Sequence, residues 1–361
     1  MKITFVMDGG DNLSGGHRAI AMFARGLRQL GHDVVLVARP WRPLTVRDRV
    51  RSLVRGRPWF REPVCKQSHF GAGGVPLHLL DEWRPVGDSD LPDADIVLAT
   101  WWETAEWVFP LARSKGAKAH LVQDYEAWGG ARERVDATYA LPMAKIAMGD
   151  WVAGVIEKQF LQKPISVIQY GVDQCVFDCP TRGKQPIAAV GLTYSTAPRK
   201  GSDISIEAYR QARESIPDLR LVACGNGRVS DSLHLPAGTA YTAYASDLEL
   251  KALYAQCDAW LFGSREEGFG LPILEAMACR TPVIGTPAGA APMLLTDGAG
   301  ILVQPENPGD MARAIVRLCR LGDAEWRALS GAAYSKATGF TWESAVQAFE
   351  AALRKAMEGA L

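Results

Sequence analysis

The stretch that decides the fold is Arg265-Glu266-Glu267-Gly268-Phe269-Gly270-Leu271-Pro272-Ile273-Leu274-Glu275-Ala276-Met277-Ala278. The four apolar residues before Gly263 have the length of a buried strand, and Pro272 suits the first turn of a helix. The sequence therefore predicts a strand, a glycine-containing loop and a helix, in that order. Gly268 and Gly270 let the backbone approach a ligand closely, and the unpaired amides at the helix start would face an anion.

Two carboxylates flank this predicted anion site. Glu275 lies about one turn inside the helix, so we expect its carboxylate near the same mouth as that of Glu267. Because carboxylates repel a bare phosphate, they more plausibly accept hydrogen bonds from hydroxyl groups. A ligand that carries both a diphosphate and sugars fits this combination. The alternative interpretation is that both are ordinary solvated acids at a helix entry.

Glu267 and Glu275, with seven residues between them, resemble the E-x7-E motif of family 4 retaining glycosyltransferases, which have the GT-B fold. The resemblance extends over a block from Leu253 to Val303. It implies that Glu267 contacts hydroxyls of the donor hexose and that Glu275 binds the ribose hydroxyls. It also implies that the backbone amides between them hold the diphosphate; these belong to Gly268, Phe269, Gly270 and Leu271.

Length and composition limit the number of domains, the classes of partner and the compartment that are expected. A chain of 361 residues usually exceeds one core, so two domains are expected. Lys and Arg total 40, as do Asp and Glu, so there is no global field to recruit nucleic acid. The seven cysteines show no metal-binding spacing, which favours a reduced compartment. The N-terminus reads as a strand without the apolar core of a signal peptide, and a cytoplasmic location is expected.

The chain opens with a strand at Ile3 to Met7, a helix that follows Gly15-Gly16, and a second strand at Val34 to Val37. The glycine pair is predicted to approach the donor, because the resembled family carries glycines here; a tight turn without a ligand is the alternative. His17, directly after the pair, is a candidate acceptor contact. A dinucleotide site is not favoured, since the spacing is not G-x-G-x-x-G and the second strand ends at Arg39 without an acid.

Two further strands of the first half deliver candidate acceptor residues to their carboxyl ends, where open α/β sheets bind ligands. Trp101 follows the strand Asp95 to Thr100, and Gln123-Asp124 follows the strand Ala119 to Val122. The resembled family often has His-Asp at the latter position, so Gln123 is a departure. Asp124 is a candidate catalytic residue that orients an acceptor hydroxyl; a helix N-cap is its alternative role.

The second half repeats this pattern. Arg199 and Lys200 lie before a helix that begins near Ser202, and they suit the neutralisation of a departing diphosphate; a solvated basic turn is the alternative. The resemblance places the nucleobase near Gly225 and Tyr244. Three positions depart from the family pattern: Leu192 stands in place of an arginine, Arg280 in place of a glycine and Met293 in place of a glutamate.

Residues 41–63 form a cationic segment. Seven arginines against two acids give a local net charge of +5, and Val46, Val50, Leu53 and Val54 recur at helical spacing. A short amphipathic helix that lies on an anionic membrane surface is one interpretation. Valines packed on the domain with solvated arginines, or a groove for an anionic acceptor, are the others.

These patterns predict an α/β protein of GT-B architecture, with two Rossmann-like domains that face each other across a cleft. The acceptor-binding domain is expected at residues 1–178 and the donor-binding domain at residues 179–361, with a final helix over about 342–357 that crosses back. The expected function is transfer of a hexose from a nucleoside diphosphate sugar, with retention, to a glycan, a lipid-linked acceptor or a small molecule. Similarity in residues 14–18 and 123–126 extends to rhamnosyl and surface-polysaccharide transferases.

No cofactor and no metal are expected. Asp93-Ala94-Asp95 looks like a D-x-D metal motif, but it precedes its strand and so would lie at the edge opposite the site. The alternatives are a GT-B phosphorylase or sugar-nucleotide epimerase, which would reuse the same anion site, and a non-catalytic module that binds a glycan or a nucleotide. The location is then cytoplasmic, with peripheral association at the inner face of the membrane through residues 41–63 if that segment binds lipid.

Overall fold

The computed structural model describes residues 1–9, 14–43, 45–47, 70 and 75–359. The chain divides into two compact units. The first contains Met1–Ala147, Ala153–Ile168 and Val346–Leu361, and the second contains Met148–Val152 and Gln169–Ala345. The boundary at Ile168 lies earlier in the chain than the predicted one at residue 178.

The first half of the chain builds a seven-stranded sheet with the order β3-β2-β1-β4-β5-β6-β7, whose registers run parallel from β3 through β6. Its elements, in chain order, are β1 (Lys2–Met7), α1 (Gly15–Gln29), β2 (Asp33–Ala38), β3 (Leu77–Leu79), β4 (Ile96–Ala99), α2 (Trp102–Val108), β5 (Ala117–Val122), α3 (Arg132–Ala140), β6 (Ala144–Met148), α4 (Asp150–Phe160) and β7 (Ile165–Ile168). The inner strands β1, β2, β4, β5 and β6 are mostly buried apolar runs, as a parallel sheet covered on both faces requires, whereas β3 and β7 at the two edges are largely exposed or half-buried.

The second half builds a six-stranded parallel sheet with the order β10-β9-β8-β11-β12-β13. Its elements, with the helix that ends the chain, are β8 (Ala189–Tyr194), α5 (Ser202–Ser215), β9 (Arg220–Gly225), β10 (Ala240–Ala243), α6 (Asp247–Ala255), β11 (Ala259–Phe262), α7 (Leu271–Ala278), β12 (Val283–Gly285), α8 (Ala291–Leu294), β13 (Gly300–Leu302), α9 (Pro308–Arg320), α10 (Asp323–Thr338) and α11 (Trp342–Glu358). Two parallel α/β sheets of this kind confirm the predicted fold class.

Trp326 of α10 closes the core of the second unit. Its indole is fully buried, and its Nε1–H donates to the carbonyl oxygen of Asp258 at 3.0 Å. The Asp258 carboxylate in turn accepts from the backbone N–H groups of Gln185 and Ala189, at 2.8 and 3.0 Å. These contacts therefore fix the start of β11 and the segment that leads into β8. The loops that follow the strands lie at the opposite, carboxyl edge of the sheet.

The final helix, α11, supplies apolar side chains to the first unit. The Phe349 ring lies 4.5 Å from that of Phe23 and 6.1 Å from that of Phe5, centroid to centroid. Gly26 of α1 is close enough that an added Cβ would lie 2.4 Å from a methyl group of Val346. Glu350 accepts from His32 Nε2 at 3.0 Å. The first unit thus takes part of its core from the far end of the sequence.

The D-x-D-like residues lie at the amino end of β4. Asp93 pairs with Lys115, whose Nζ lies 2.9 Å from its carboxylate. Asp95 accepts the backbone N–H of Lys2 at 2.7 Å. Both carboxylates therefore have structural partners at the edge of the sheet away from the strand ends.

Candidate functional site

In the second sheet the direction of winding reverses between β8 and β11. From β8 the chain continues to β9 and β10 on one side, and from β11 it continues to β12 and β13 on the other. Open α/β sheets bind ligands in the crevice at such a switch point, outside the carboxyl ends of the strands. The loop after β8 carries Arg199 and Lys200, and the loop after β11 carries Glu267. The structure therefore brings these three predicted site residues to one crevice.

The two loops are joined by backbone contacts. The carbonyl oxygen of Arg199 accepts the N–H groups of Arg265 and Glu266, at 2.8 and 3.2 Å. Gly201 adopts a left-handed conformation (φ +56°), and an added Cβ there would lie 1.7 Å from the carbonyl oxygen of Gly263. Only glycine allows the loops to approach this closely, so Gly201 fixes the position of its neighbour Lys200.

Lys200 and Glu267 form a close ion pair. The ammonium Nζ lies 2.6 Å from Oε1 and 2.7 Å from Oε2 of the carboxylate. Ser264 Oγ also donates to Glu267, at 3.3 Å. An ammonium has three donors and a carboxylate about four acceptor positions, so each group retains capacity for a ligand. The pair can therefore act as one unit, in which Lys200 donates to an anion and Glu267 accepts from a hydroxyl group.

Arg265 is a contributor that the sequence reading missed. Its guanidinium bonds bidentately to both Asp203 and Glu306, at 2.6 to 2.9 Å, and donates to the carbonyl oxygen of Pro198. These hydrogen bonds to Asp203 and Glu306 raise the pKa of the guanidinium. Arg265 thus clamps the β11 loop to the turn that carries Lys200. In the sequence Arg265 directly precedes Glu266 and Glu267, but the residues that it contacts are distant in the chain.

The predicted helix start is confirmed. α7 begins at Leu271, Pro272 lies in its first turn, and Gly270 precedes it in a left-handed conformation (φ +98°). Phe269 is buried against Tyr170, with ring centroids 5.2 Å apart, and its carbonyl oxygen accepts the N–H of Ala290 at 2.8 Å. The first amides of such a helix have no partner within it. These contacts therefore hold the loop in place directly before α7. The positive end of the helix dipole at the start of α7 favours an anion.

Glu275 is a buried carboxylate, and this burial argues against the solvated-acid alternative for it. Its exposure is 5%, and the Tyr254 hydroxyl donates to Oε2 at 2.8 Å. Burial raises the pKa of the Cys224 thiol to about 12, and the Glu275 carboxylate contributes to the rise. Glu275 therefore faces the end of β9, where the predicted base-binding loop begins. A buried carboxylate needs strong hydrogen-bond donors, and ribose hydroxyls are suitable ones.

The structure brings Gly225 and Tyr244 together at the ends of β9 and β10. Tyr244 donates its backbone N–H to the carbonyl oxygen of Gly225 at 2.8 Å. Tyr244 has a positive φ of 54°, and its side chain is exposed. An added Cβ on Gly225 would lie 2.6 Å from the carbonyl oxygen of Tyr194 and 2.9 Å from the Tyr241 hydroxyl. The glycine is thus required for the close approach of three loops, and Tyr244 lies beside them.

The first sheet has its own switch point, between β1 and β4. Gly15 is the first residue of α1, and Ser14 caps that helix by accepting the N–H of His17 at 3.3 Å. The His17 ring nitrogen Nδ1 lies 2.9 Å from the same hydroxyl. Gly16 lies against Gln123, whose amide would be 3.4 Å from an added Cβ. The glycine pair, His17 and Gln123 are therefore neighbours in this unit.

Asp124 does not cap a helix, so the alternative role predicted for it is wrong. The next helix, α3, begins at Arg132, and the Asp124 carboxylate instead accepts the N–H of Tyr125 at 2.9 Å. Trp101 follows β4, and its ring lies 5.2 Å from that of Trp128. The buried Glu126 accepts the N–H of Trp102 at 2.8 Å and links the two strand ends. Trp128 and Glu126 were not singled out from the sequence.

Arg39 directly follows β2, where a dinucleotide-binding site would have an acidic residue. Its side chain contacts residues that follow β1 and β4. It donates to the carbonyl oxygen of Asp8 and to the Glu103 carboxylate, and its guanidinium lies 4.8 Å from the ring centroids of both Trp83 and Trp107. Burial raises the pKa of the Asp8 carboxyl, and the Arg39 charge opposes this rise. Arg39 therefore stabilises this edge by cation–π and ionic contacts.

Of the four departures from the family pattern, which are Gln123, Leu192, Arg280 and Met293, Arg280 has a clear structural account. It has a φ of +62°, a conformation that favours glycine, and its guanidinium lies 3.4 Å from the Tyr334 ring centroid. Its Nε donates to the carbonyl oxygen of Cys179 at 3.3 Å. These contacts offset the strained backbone. Most of residues 41–63, and hence the predicted cationic helix, lies outside the described residues.

Comparison with known proteins finds a similar family over part of the chain. Residues 193–333 match the family Glycosyl transferases group 1. The D-inositol 3-phosphate glycosyltransferase of Mycobacterium bovis is 31% identical over 216 residues, and the match covers 54% of this chain. The match covers 44% of the length of that relative. The same enzyme of Mycobacterium tuberculosis matches equally well.

Solved structures show the GT-B fold over nearly the whole chain. The Anabaena protein HepE, in complex with UDP and glucose, has a TM-score of 0.74 at 16% identity and covers 98% of this chain and 100% of its own. The sucrose-phosphate synthase of Thermosynechococcus elongatus has a TM-score of 0.75 at 16% identity, with 99% of each chain covered.

Proposed function

We propose that this protein is a retaining glycosyltransferase that moves a hexose from a nucleoside diphosphate sugar to an acceptor hydroxyl. The observation that carries the proposal is the ion pair of Lys200 with Glu267, the first glutamate of the E-x7-E motif, at the switch point of the second sheet. The group 1 family match covers both residues. The complex of HepE with UDP and glucose supports a sugar nucleotide as the donor class.

In the proposed reaction the acceptor oxygen forms a bond to the anomeric carbon while the bond from that carbon to the diphosphate oxygen breaks. The acceptor proton passes to the departing diphosphate. Negative charge grows on the diphosphate, and we assign its stabilisation to Lys200, Arg199 and the amides of Gly268 to Leu271. Glu267 orients the hexose hydroxyls. In the other unit, Asp124 and Gln123 would orient the acceptor, and Gly15 and Gly16 would approach the donor.

The first test is nucleotide binding. Calorimetry with UDP, dTDP, GDP and ADP identifies the base, and a rhamnosyl-type enzyme would favour dTDP. Turnover of the matching donor is then followed by release of the nucleoside diphosphate, and the anomeric configuration of the product is read by NMR. Release of free sugar phosphate instead would indicate a phosphorylase, and an absence of both binding and turnover would contradict the proposal.

Glu275→Ala should weaken nucleoside diphosphate binding by roughly ten- to a hundredfold, because the ribose hydroxyls lose a buried charged acceptor. Glu267→Ala should leave affinity for the bare nucleotide nearly unchanged and reduce turnover of the intact donor. Calorimetry with nucleoside diphosphate on both variants measures how far the affinity depends on each glutamate. Tyr254→Phe, which removes only the hydroxyl that donates to Glu275, serves as a milder control. Equal losses in the two glutamate variants would refute the assignment.

Turnover should be independent of divalent metal, because Lys200 and Arg199 provide the cationic charge that a metal would otherwise supply. Activity is measured before and after addition of excess chelator. It should change by less than about twofold, which corresponds to under about 0.5 kcal/mol. Activity that disappears with chelator and returns with magnesium or manganese would show that the arginine–lysine turn is insufficient.

We propose that the cationic segment 41–63 brings the enzyme to an acidic membrane, where a lipid-linked acceptor would lie. In the part of the chain that the structure describes, no helix is both long and apolar enough to cross a membrane. Each arginine near an anionic surface contributes about 1 kcal/mol. The protein should sediment with anionic vesicles at low salt. This binding should weaken as the salt concentration rises, and also in the variant with Arg47, Arg51 and Arg55 changed to Glu. Neutral vesicles are the control, and equal binding to both kinds would exclude the electrostatic account.

A further inference from the structure

An aromatic pair stands at the carboxyl edge of the first sheet. Trp128 is 52% exposed, although it is one of the largest apolar side chains, and its ring meets the edge of Trp101 at 5.2 Å with an interplanar angle of 60°. Trp101 follows β4, and Trp128 lies on the loop after β5. We call Trp101 and Trp128 together the indole pair. Trp128 lies on the loop that also carries Gln123 and Asp124.

The backbone holds the indole pair in one arrangement. An added Cβ on Gly129 would lie 2.5 Å from Trp101, and one on Gly130 would lie 2.5 Å from Trp102. These two glycines therefore leave the rings of Trp101 and Trp102 room that a Cβ would take. The N–H of Gly129 donates to the carbonyl oxygen of Glu126 at 2.7 Å and closes the turn that presents Trp128.

A buried carboxylate fixes this turn from behind. Glu126 is 1% exposed, and it accepts the N–H of Trp102 at 2.8 Å while its own N–H donates to the Tyr139 hydroxyl at 2.9 Å. Thr104 Oγ1 accepts the N–H groups of Thr100 and Trp101, at 2.9 and 3.0 Å, and fixes the other loop. Buried polar contacts thus fix the backbone of both loops, which lowers the entropy that these loops lose when a ligand binds.

The chemistry of the surroundings indicates which ligand this would be. Aromatic faces bind flat apolar surfaces, and a pyranose ring presents one such face of C–H groups with hydroxyls around its rim. The Gln123 amide and the Asp124 carboxylate, on the same loop, offer hydrogen-bond partners for those hydroxyls. We propose that the indole pair binds a pyranose ring of the acceptor, so that the acceptor is a saccharide. This proposal rests on the proposed function and adds the class of its acceptor.

Saturation-transfer NMR on the full chain tests the proposal, with α-linked disaccharides of glucose, mannose and rhamnose as probes and UDP present in one series. We expect at least one disaccharide to bind the wild type, and Trp128→Ala to weaken that binding by about tenfold. Trp128→Phe should retain most of the affinity, because it keeps an aromatic face. Phe109→Ala is the matched control: Phe109 is an exposed aromatic residue directly after α2, and its loss should leave saccharide binding unchanged.

Nucleotide calorimetry and thermal unfolding of each variant separate this proposal from the function itself. If nucleotide binds normally but no disaccharide binds, or if Trp128→Ala binds saccharide as well as the wild type does, the indole pair is not an acceptor site while the donor assignment stands. If saccharide binding depends on Trp128 but no nucleotide binds, the indole pair is supported and the transferase function fails. Equal loss in Phe109→Ala would also overturn the proposal, since it would show a general effect of removing an exposed aromatic ring.

Discussion

Lys200→Ala should reduce kcat by about a hundred- to a thousandfold, which corresponds to about 2.7 to 4 kcal/mol of lost transition-state stabilisation. The ammonium is held against Glu267 at 2.6 Å at the switch point, so it is already oriented before the donor arrives. Its removal takes a fixed charge away from the diphosphate that departs and leaves Glu267 without its partner. Steady-state turnover of the donor identified by calorimetry measures the effect.

The matched control is Lys336→Ala. The side chains of Lys200 and Lys336 are both 29% exposed, and each pairs with one carboxylate; that of Lys336 is Asp297, at 3.1 Å. Loss of Lys336 should leave kcat unchanged. The double variant Lys200→Ala with Glu267→Ala should be little worse than the worse single variant, because the two groups act as one unit. Turnover within threefold of wild type in Lys200→Ala would exclude the assigned role.

Gly201→Ala should destabilise the second unit by about 3 kcal/mol or more and abolish activity. A Cβ at this position would lie 1.7 Å from the carbonyl oxygen of Gly263, so the loop after β11 must move. That movement breaks the hydrogen bonds from Arg265 and Glu266 to the Arg199 carbonyl oxygen. The midpoint of thermal unfolding should fall by about 6 to 12 °C.

Gly298→Ala separates the steric effect from backbone strain. Gly298 also has a positive φ, +74°, but nothing lies within 4 Å of an added Cβ. This substitution should therefore cost only the left-handed conformation, about 1 to 2 kcal/mol. Activity should persist in Gly298→Ala below its unfolding midpoint. If both variants lose the same stability, the close approach of Gly201 to Gly263 is not what fixes the loops.

Local patterns in the sequence predicted the elements well. The helix at Leu271 was expected from Pro272 and the preceding glycines, and α5 begins at the predicted Ser202. These features depend on a few neighbouring residues, whose backbone preferences are strong. The parallel sheets followed from buried apolar runs that alternate with helices. Strand ends shifted by one residue, as at β4, which was predicted at Asp95 to Thr100 and lies at Ile96–Ala99.

The contacts that shape the candidate site were not predictable in this way. Arg265 binds Asp203 and Glu306, which lie 62 and 41 residues away in the chain. Tyr254 is 21 residues from Glu275, and nothing in the local pattern pairs them. Asp124 has the residue type of an N-cap, but the next helix begins only at Arg132 and has Ala131 as its N-cap. Side-chain partners of this kind depend on the tertiary fold, which spacing alone does not specify.

The contribution of α11 to the first unit has a practical consequence for work with fragments. Phe349 packs on Phe23 and Phe5, so a fragment that stops at Ile168 would leave those two rings partly uncovered. Such a fragment should be poorly soluble unless residues 346–358 are supplied, either as a separate peptide or through a linker. Two-hybrid or display experiments that use half of the chain should therefore carry this helix together with the first half.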